Sequence, residues 1–381
     1  MLSVPERKGS AMATVFGIAG VVAVLVGVLS ISYGFRRAMT AAGQADCAVV
    51  MRTGSDNEMT SNLTMEEGKI VSDSEFLARN EYGPAASSEL YVILNLPKRS
   101  TGTDANVPLR GIHQQAYAVR KNFKIIAGHK FEPGRNEVIV GRAAANEFTG
   151  CELGGTIPVG GQKWKVVGIF TCDGGVAESE MWADAPLIQE TYHRGSTFQS
   201  VYCRLKSAGD YQAFEDELTS DPRIKVTVKR ESQYYSDQSR VMTSIITTLG
   251  VSISTLMAIG AVFGALNTMY SAVAARTREV ATLRALGFGT APVVISVLIE
   301  ALALALLGGM VGGGAAYLLF DGYQAATMNF QSFTQVAFAF AVTPALLVQG
   351  AIFAAVIGFF GGLFPAIRAA RMQIAPALRE L

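Results

Sequence analysis

Three histidines, four cysteines and a single carboxylate inside an apolar run are the residues of this 381-residue chain from which chemistry could be built. His113, His129 and His193 are too scattered for an HExxH helix or a Cys/His zinc pattern, and no C-x-x-C occurs. No G-x-S-x-G segment presents a serine nucleophile. Gly308-Gly309 and Gly312-Gly313-Gly314 lack the Gly-Lys-Ser/Thr that completes a phosphate loop, and they lie in an apolar run. Their small-xxx-small spacing, repeated at Gly260/Gly264 and Gly358/Gly362, predicts close helix packing instead. The sequence therefore predicts no catalytic residue, metal site or cofactor in this chain. Cys47, Cys151, Cys172 and Cys203 remain: in an oxidising compartment they could form disulfides in any of three pairings, with buried free thiols as the alternative. Glu300 interrupts an apolar segment, at a cost of roughly 2–3 kcal/mol on insertion scales. It is expected to bond a neighbouring helix or to lie at headgroup level, with an intramembrane relay or substrate contact as the functional alternative. Gln349 is expected to hydrogen-bond between helices.

The elements that must position these residues follow from where charge is absent. Of 63 Asp, Glu, Lys and Arg residues, 50 lie between Arg36 and Arg240, and none lies from Gly322 to Ile367. A chain divided in this way serves two solvents. A hydrocarbon core of about 30 Å needs about 20 apolar residues in a helix. Four segments are long enough: Ala11–Phe35, a stretch within Val241–Ala275, Pro292–Phe320 and Thr343–Phe364. The first is longer than the apolar core of a signal peptide (about 7–15 residues), and Arg36 and Arg37 precede any cleavage site, so it reads as a retained anchor. Arg276, Arg278 and Arg284 lie between the second and third spans, and Arg368, Arg371 and Arg379 follow the fourth. No Lys or Arg occurs in Asp321–Val342. By the positive-inside rule both termini are expected to be cytoplasmic and the charged block outside.

The outer block carries a net charge of −2, which excludes a nucleic-acid or polybasic-lipid surface. β-rich runs at Leu90–Leu96, Asn136–Val140, Thr156–Val159, Lys163–Phe170, Ser200–Leu205 and Ile224–Val228 alternate with turns. Helical patterns cover Met65–Arg79, Arg142–Phe148, Asp184–Tyr192 and Asp210–Ser220. The expected fold is a four-helix transmembrane protein with a large α+β extracytoplasmic domain, of two lobes, inserted between the first and second spans. Asn80–Pro108 and Gly174–Ser179 read as irregular crossings. Arg36–Gly43 and Glu231–Arg240 extend the adjoining helices into a stalk.

The division expected is 1–45 for the tail, first span and stalk, 46–230 for the outer domain, 231–270 for stalk and second span, and 271–290 for a cytoplasmic helix. Residues 291–320 form the third span, 321–342 a short outer loop, 343–365 the fourth span and 366–381 a cytoplasmic tail. The segment at 271–290 has strong helix formers, with Val280, Leu283 and Leu286 at i, i+3, i+6 and Gly287 placed as a stop. Such a stripe suits a partner groove, or else rests on lipid.

Here a resemblance enters. Arg-x-Arg-Glu-Val-Ala-x-Leu-Arg-Ala-Leu-Gly from Arg276 and Gly-Leu-Phe-Pro-Ala-x-Arg-Ala-Ala-Arg from Gly362 resemble the permeases of FtsX/MacB/LolC-type ABC transporters. Pro-Ala-Leu-Arg at Pro376–Arg379 fits the same pattern. Gly128–Phe170 is similar to the core of that family's outer domain, and the span order is also the family's. The resemblance implies that Arg276, Arg278, Glu279, Val280, Leu283, Arg284 and Leu286 form the coupling helix that docks on a cytoplasmic ABC ATPase, with Glu279 and Arg284 as polar contacts. ATP and Mg would be bound by that partner, because MacB carries a fused ATPase and this chain has none. It also implies a homodimer or related heterodimer, a periplasmic adaptor or lipoprotein partner, and contact with membrane lipid but not nucleic acid. The function implied is mechanotransmission for export or lipoprotein and lipid handling at the outer face. The alternative is a transducer that regulates an envelope hydrolase or senses a ligand.

Overall fold

The computed structural model describes residues 4–41, 43–81, 83–120, 122–329 and 332–372. Helices are α1 (Val4–Ala41), α2 (Met65–Ser72), α3 (Ala116–Val119), α4 (Arg142–Glu147), α5 (Ala185–Thr191), α6 (Tyr211–Ser220), α7 (Glu231–Ala275), α8 (Thr277–Ala285), α9 (Thr290–Phe320) and α10 (Pro344–Ala370). Strands are β1 (Cys47–Arg52), β2 (Leu63–Thr64), β3 (Arg79–Asn80), β4 (Gly83–Pro84), β5 (Ala86–Pro97), β6 (Asp104–Ile112), β7 (Lys124–Gly128) and β8 (Glu137–Gly141). They continue with β9 (Thr156–Val159), β10 (Gln162–Thr171), β11 (Met181–Asp184), β12 (Thr197–Phe198), β13 (Ser200–Arg204), β14 (Val226–Arg230), β15 (Gln324–Asn329) and β16 (Thr334–Ala339). The chain divides into two compact units: one of Met1–Tyr33, Ser244–Tyr323 and Phe340–Leu381, the other of Gly34–Thr243 with Gln324–Ala339.

The first unit is helical. Among the described residues four helices are long and apolar enough to cross a membrane: Ala11–Ala41, Glu231–Ala275, Thr290–Phe320 and Pro344–Ala370. At 1.5 Å per residue the 45-residue α7 is roughly 67 Å long, more than twice a hydrocarbon thickness of about 30 Å. α1 overshoots in the same way, with 38 residues. Ile18, Val22 and Val26 of α1, Ala305 and Ala316 of α9, and Leu346, Ala354 and Ile357 of α10 form the core. Close packing occurs where the glycine spacing predicts it. A Cβ on Gly312 would stand 2.2 Å from the Ala19 carbonyl oxygen, and one on Gly358 2.4 Å from Ala305 Cβ. Gly260 and Gly264 differ, since a Cβ there would meet nothing within 4 Å among the described residues. Thr14 donates to Thr268 Oγ1 (2.7 Å), and Ser32 and Thr247 share a hydrogen bond (3.0 Å), so α1 and α7 are tied at two levels. Gln349 is exposed on α10 and has no side-chain hydrogen bond among the described residues.

The second unit is built on a ten-stranded path, β14-β1-β13-β5-β6-β11-β8-β10-β7, with β9 on β10. Instead of separate lobes, one compact unit carries distinct cores. Val50, Leu77, Val201, Phe214 and Leu218 fill one end, and Leu90, Val140, Trp164, Val166 and Met181 fill the other. Asn80–Pro108, expected to be irregular, instead holds the longest strand pairing in the sheet, Leu90↔Gly111 to Pro97↔Asp104 between β5 and β6. Pro108 concealed β6, because proline has no N–H for a ladder. β6 tolerates it because β11 pairs only from Leu109 onward. α2 ends at Ser72 and does not continue to Arg79, with Thr64 and Glu67 closing a capping box at its start. The segment 321–342 is not a loop but the β15–β16 hairpin, registered from Gln324↔Ala339 to Asn329↔Thr334. α10 continues through Pro365 to Ala370, so residues 366–370 are helix and not tail. Residues 373–381, with the Pro-Ala-Leu-Arg motif and Arg379, lie outside the described residues.

Candidate functional site

The segment expected to couple to an ATPase begins where α7 breaks. Arg276 leaves helical geometry (φ −113°, ψ 14°), and α8 restarts at Thr277. α8 is stopped by a Schellman motif: Phe288 N–H donates to the Leu283 carbonyl (3.2 Å) and Gly287 N–H to that of Arg284 (3.1 Å). Gly287 takes φ +96°, a conformation that L side chains resist. The apolar stripe divides by direction. Val280 packs inward against Met269, Val273, Val293 and Val297, and Ala281 is buried. Leu283 and Leu286 point outward, 45% and 72% exposed, and are joined by Phe288 at 55%. Phe288 lies past the helix stop, where the i, i+3 pattern does not reach.

Three ties hold this patch in place. Arg276 Nη1 donates to Glu300 Oε2 at 2.8 Å. The Glu300 carboxylate therefore has its partner on the preceding crossing. The pair is about a third exposed, and such pairs contribute on the order of 0–1 kcal/mol, so its role is orientation more than stability. Arg284 Nη1 donates to the Met372 carbonyl at 2.5 Å, beyond the end of α10. This guanidinium is thus engaged within its own chain, whereas Arg278 and Glu279 are exposed and make no ion pair among the described residues. The third tie is the Val280 contact. An open, mostly apolar cavity of about 290 Å³ lies beside α8, lined by Val273, Val280, Leu283, Phe288 and Val297, with Arg276 and Glu300 at its polar edge.

The outer unit holds a feature that sequence reading missed. Arg110 on β6 is 1% exposed and donates all five of its N–H groups. Nε and Nη2 go to Glu180 (2.8 and 2.7 Å), Nη1 and Nη2 to Glu58 (2.7 and 3.0 Å), and Nη1 also to Glu89 (3.0 Å). Arg120 binds Glu89 with both terminal nitrogens (2.6 and 2.8 Å). Its guanidinium lies over Tyr202 (4.4 Å) and Trp182 (5.1 Å). Trp182 Nε1 and Ser200 Oγ complete the satisfaction of Glu180 and Glu58. Burial alone would raise the Glu58 carboxyl, but the Arg110 guanidinium overrides it and holds the group below its ordinary 4.5. Burial opposes the charge on Arg110, and the Glu180 and Glu58 carboxylates raise its pKa well above the usual value.

This arrangement has a pH signature. A carboxyl depressed in the folded state contributes stability that is present above its unfolded value and is lost as pH falls through the folded one. The Glu58 contribution to the outer domain's stability should be intact above the group's ordinary 4.5 and be lost progressively as pH falls below it. Both tryptophans, Trp164 and Trp182, are buried in this unit, so their fluorescence reads it selectively. Glu58→Gln should flatten the acid limb of the curve. An acid limb of unchanged steepness would show that Glu58 is not the group responsible.

The cysteines do not pair: Cys47, Cys151, Cys172 and Cys203 are all free and buried. The reason is placement. Cys151, Cys172 and Cys203 each belong to a different core cluster. Cys47 lies opposite Arg204 while Cys203 lies opposite Ala48, so the two adjacent cysteines point to opposite faces of the sheet. Burial pushes the thiols of Cys47, Cys151 and Cys172 up to about 12, away from thiolate reactivity. Among the described residues no group of His, Cys, Asp and Glu could hold a metal ion.

With this geometry in hand, comparison with known proteins is informative. Residues 11–221 match the MacB-like periplasmic core domain, and residues 251–374 match the FtsX-like permease C-terminal domain. An uncharacterized ABC transporter permease of Bacillus subtilis, YknZ, is 25% identical over 299 residues, covering 73% of this chain and 70% of that protein. The macrolide export ATP-binding/permease protein MacB of Escherichia coli is 26% identical over 327 residues, 80% of this chain. This chain spans about half of that MacB, 48% of its length. Among solved structures, the periplasmic region of MacB from Actinobacillus actinomycetemcomitans aligns over 51% of this chain and 92% of its own, with a TM-score of 0.39 and 12% identity.

Proposed function

Because the chain belongs to the MacB- and FtsX-like permeases of ABC transporters, we propose that it passes ATP-driven movement from a separate cytoplasmic ATPase to its outer domain. ATP and Mg are bound by that ATPase, and this chain supplies no catalytic group. Two copies pair, each offering an α7 face on which Leu256 and Phe263 are exposed and Gly260 and Gly264 are unobstructed. Both termini lie in the cytoplasm, with the outer domain between the first and second crossings. α1 and α7, both longer than a bilayer needs, carry the movement outward as levers. Export, or the handling of a lipoprotein or lipid at the outer face, is the work done there.

The observation that carries this reading is the apolar patch of Leu283, Leu286 and Phe288. Leu283 on α8, with Leu286 and Phe288 just past its end, is exposed in a segment anchored by Val280, Arg276 and Arg284. An anchored patch of this kind transmits force to the helices instead of absorbing it. Replacing both Leu283 and Leu286 with Asp desolvates two carboxylates at the contact, at several kcal/mol if they stay charged. Co-purification of the cognate ATPase should then be lost while the permease still inserts and folds. Retention of the ATPase by the double variant would refute the docking assignment.

A further inference from the structure

The segment between α9 and α10 reads as a plain loop, yet it belongs to the outer unit and is seated there by specific contacts. Asn106 of β6 donates to the Phe333 carbonyl (2.9 Å), and Lys98, just past β5, donates to Gln335 Oε1 (3.2 Å). Ala337 N–H donates to Ser179 Oγ (3.0 Å) in the turn that precedes β11. Asn329 donates to Gln238 Oε1 of α7 (3.1 Å). Phe338 meets Phe35 of α1 edge-on at 5.5 Å. One hairpin therefore contacts the sheet, a connector and both long helices at their outer ends. Asn329, Ser332 and Thr334 are buried with hydrogen-bond partners, and buried polar contacts of this kind define a unique seat. Beneath it a space of about 20 Å³, room for a single water, separates Glu58, Arg110 and Glu180 from Ser332, Thr334 and Val336.

We propose that the β15–β16 hairpin is a third mechanical input to the outer domain. A displacement of α9 and α10 travels along two strands paired over six residues each and is delivered to the joint where α1, α7 and the β5–β6 pair meet. On this view the domain responds to the relative movement of all four long helices, not to α1 and α7 alone. The inference rests on the force-transmission reading above.

The test is hydrogen exchange of the permease with its ATPase in lipid nanodiscs, nucleotide-free and with a non-hydrolysable ATP analogue. In the wild type, exchange at β5 and β6 should differ between the two states. Val336 is 2% exposed, and Val336→Asp should unseat the hairpin. The hairpin amides should lose protection, the ATPase should stay bound, and the nucleotide-dependent difference at β5 and β6 should vanish while one persists at Gln44, where α1 leads into β1. A second variant, with Gln324–Ala339 replaced by a Gly/Ser segment of equal length, gives the same readout should the aspartate disturb tryptophan fluorescence. If the difference at β5 and β6 survives in an unseated hairpin, the third input is overturned and the general reading stands. If the wild type shows no nucleotide-dependent difference anywhere in the outer domain, force transmission itself falls, and this inference with it.

Discussion

Arg110→Met should lower the stability of the outer domain by about 3–5 kcal/mol, because it leaves buried carboxylates without their counter-charge. Domains of this size have about 5–15 kcal/mol in total, so the variant should sit near the folding threshold. The cause is specific. Glu58, Glu89 and Glu180 are all within 4% of complete burial and receive all five Arg110 donors. Arg120 remains, but it is committed to Glu89. Tyr91 and Tyr202, which face the guanidinium at 5.1 Å, would lose a cation as well. Arg110→Lys should fall between the two, since an ammonium cannot serve Glu58 and Glu180 as paired forks. Glu58→Gln combined with Arg110→Met should recover part of the loss by removing one uncompensated charge. Thermal unfolding followed by tryptophan fluorescence measures all of these. A melting temperature for Arg110→Met within error of wild type would mean that the node is not held as described.

Gly312→Val should damage the helical unit as severely. A Cβ at Gly312 would lie 2.2 Å from Ala19 O and 2.9 Å from Ala19 C and Cα, all backbone atoms of α1. No rotamer change relieves a backbone clash, so α1 and α9 must separate. Overpacking of a tight interface costs about 1–3 kcal/mol or more, and within a membrane there is little hydrophobic gain from re-closing it. Gly314→Val provides the control, because a Cβ there would meet nothing within 4 Å. The comparison is the melting temperature of the detergent-solubilised permease, with a marked drop for Gly312→Val and little change for Gly314→Val. Equal behaviour of the two variants would remove the assigned α1–α9 contact.

Local pattern revealed most of the regular elements but not how they assemble. Thr156–Val159 is legible because two buried positions alternate with two exposed ones. The α8 stop is legible because glycine alone accepts φ +96° without strain. β1 was hidden by the absence of alternation, with five consecutive buried residues, and β6 by Pro108. β15 was hidden by small and polar residues that carry no period, whereas β16 alternates at Thr334, Val336 and Phe338 over only six residues. In the segment 276–286 side-chain direction divides the residues that the motif marked. Val280 and Arg284 serve the permease's own packing, while Leu283, Leu286 and the unmarked Phe288 face outward.

What the sequence determined by itself is the division between lipid and water. Solvation is counted residue by residue, and a run of 46 residues without charge from Gly322 to Ile367 carries its meaning wherever it lies. The four long apolar helices follow for the same reason, though not their exact ends. What only the tertiary structure decided is which charges leave water and which side chains meet. Glu58, Glu89, Arg110, Arg120 and Glu180 look like ordinary members of a solvated block, and they become a closed network only when five separated segments converge. The same holds for the unpaired cysteines and for the hairpin seated on the outer domain. A contact is a property of two positions in space, and no single stretch of sequence contains both.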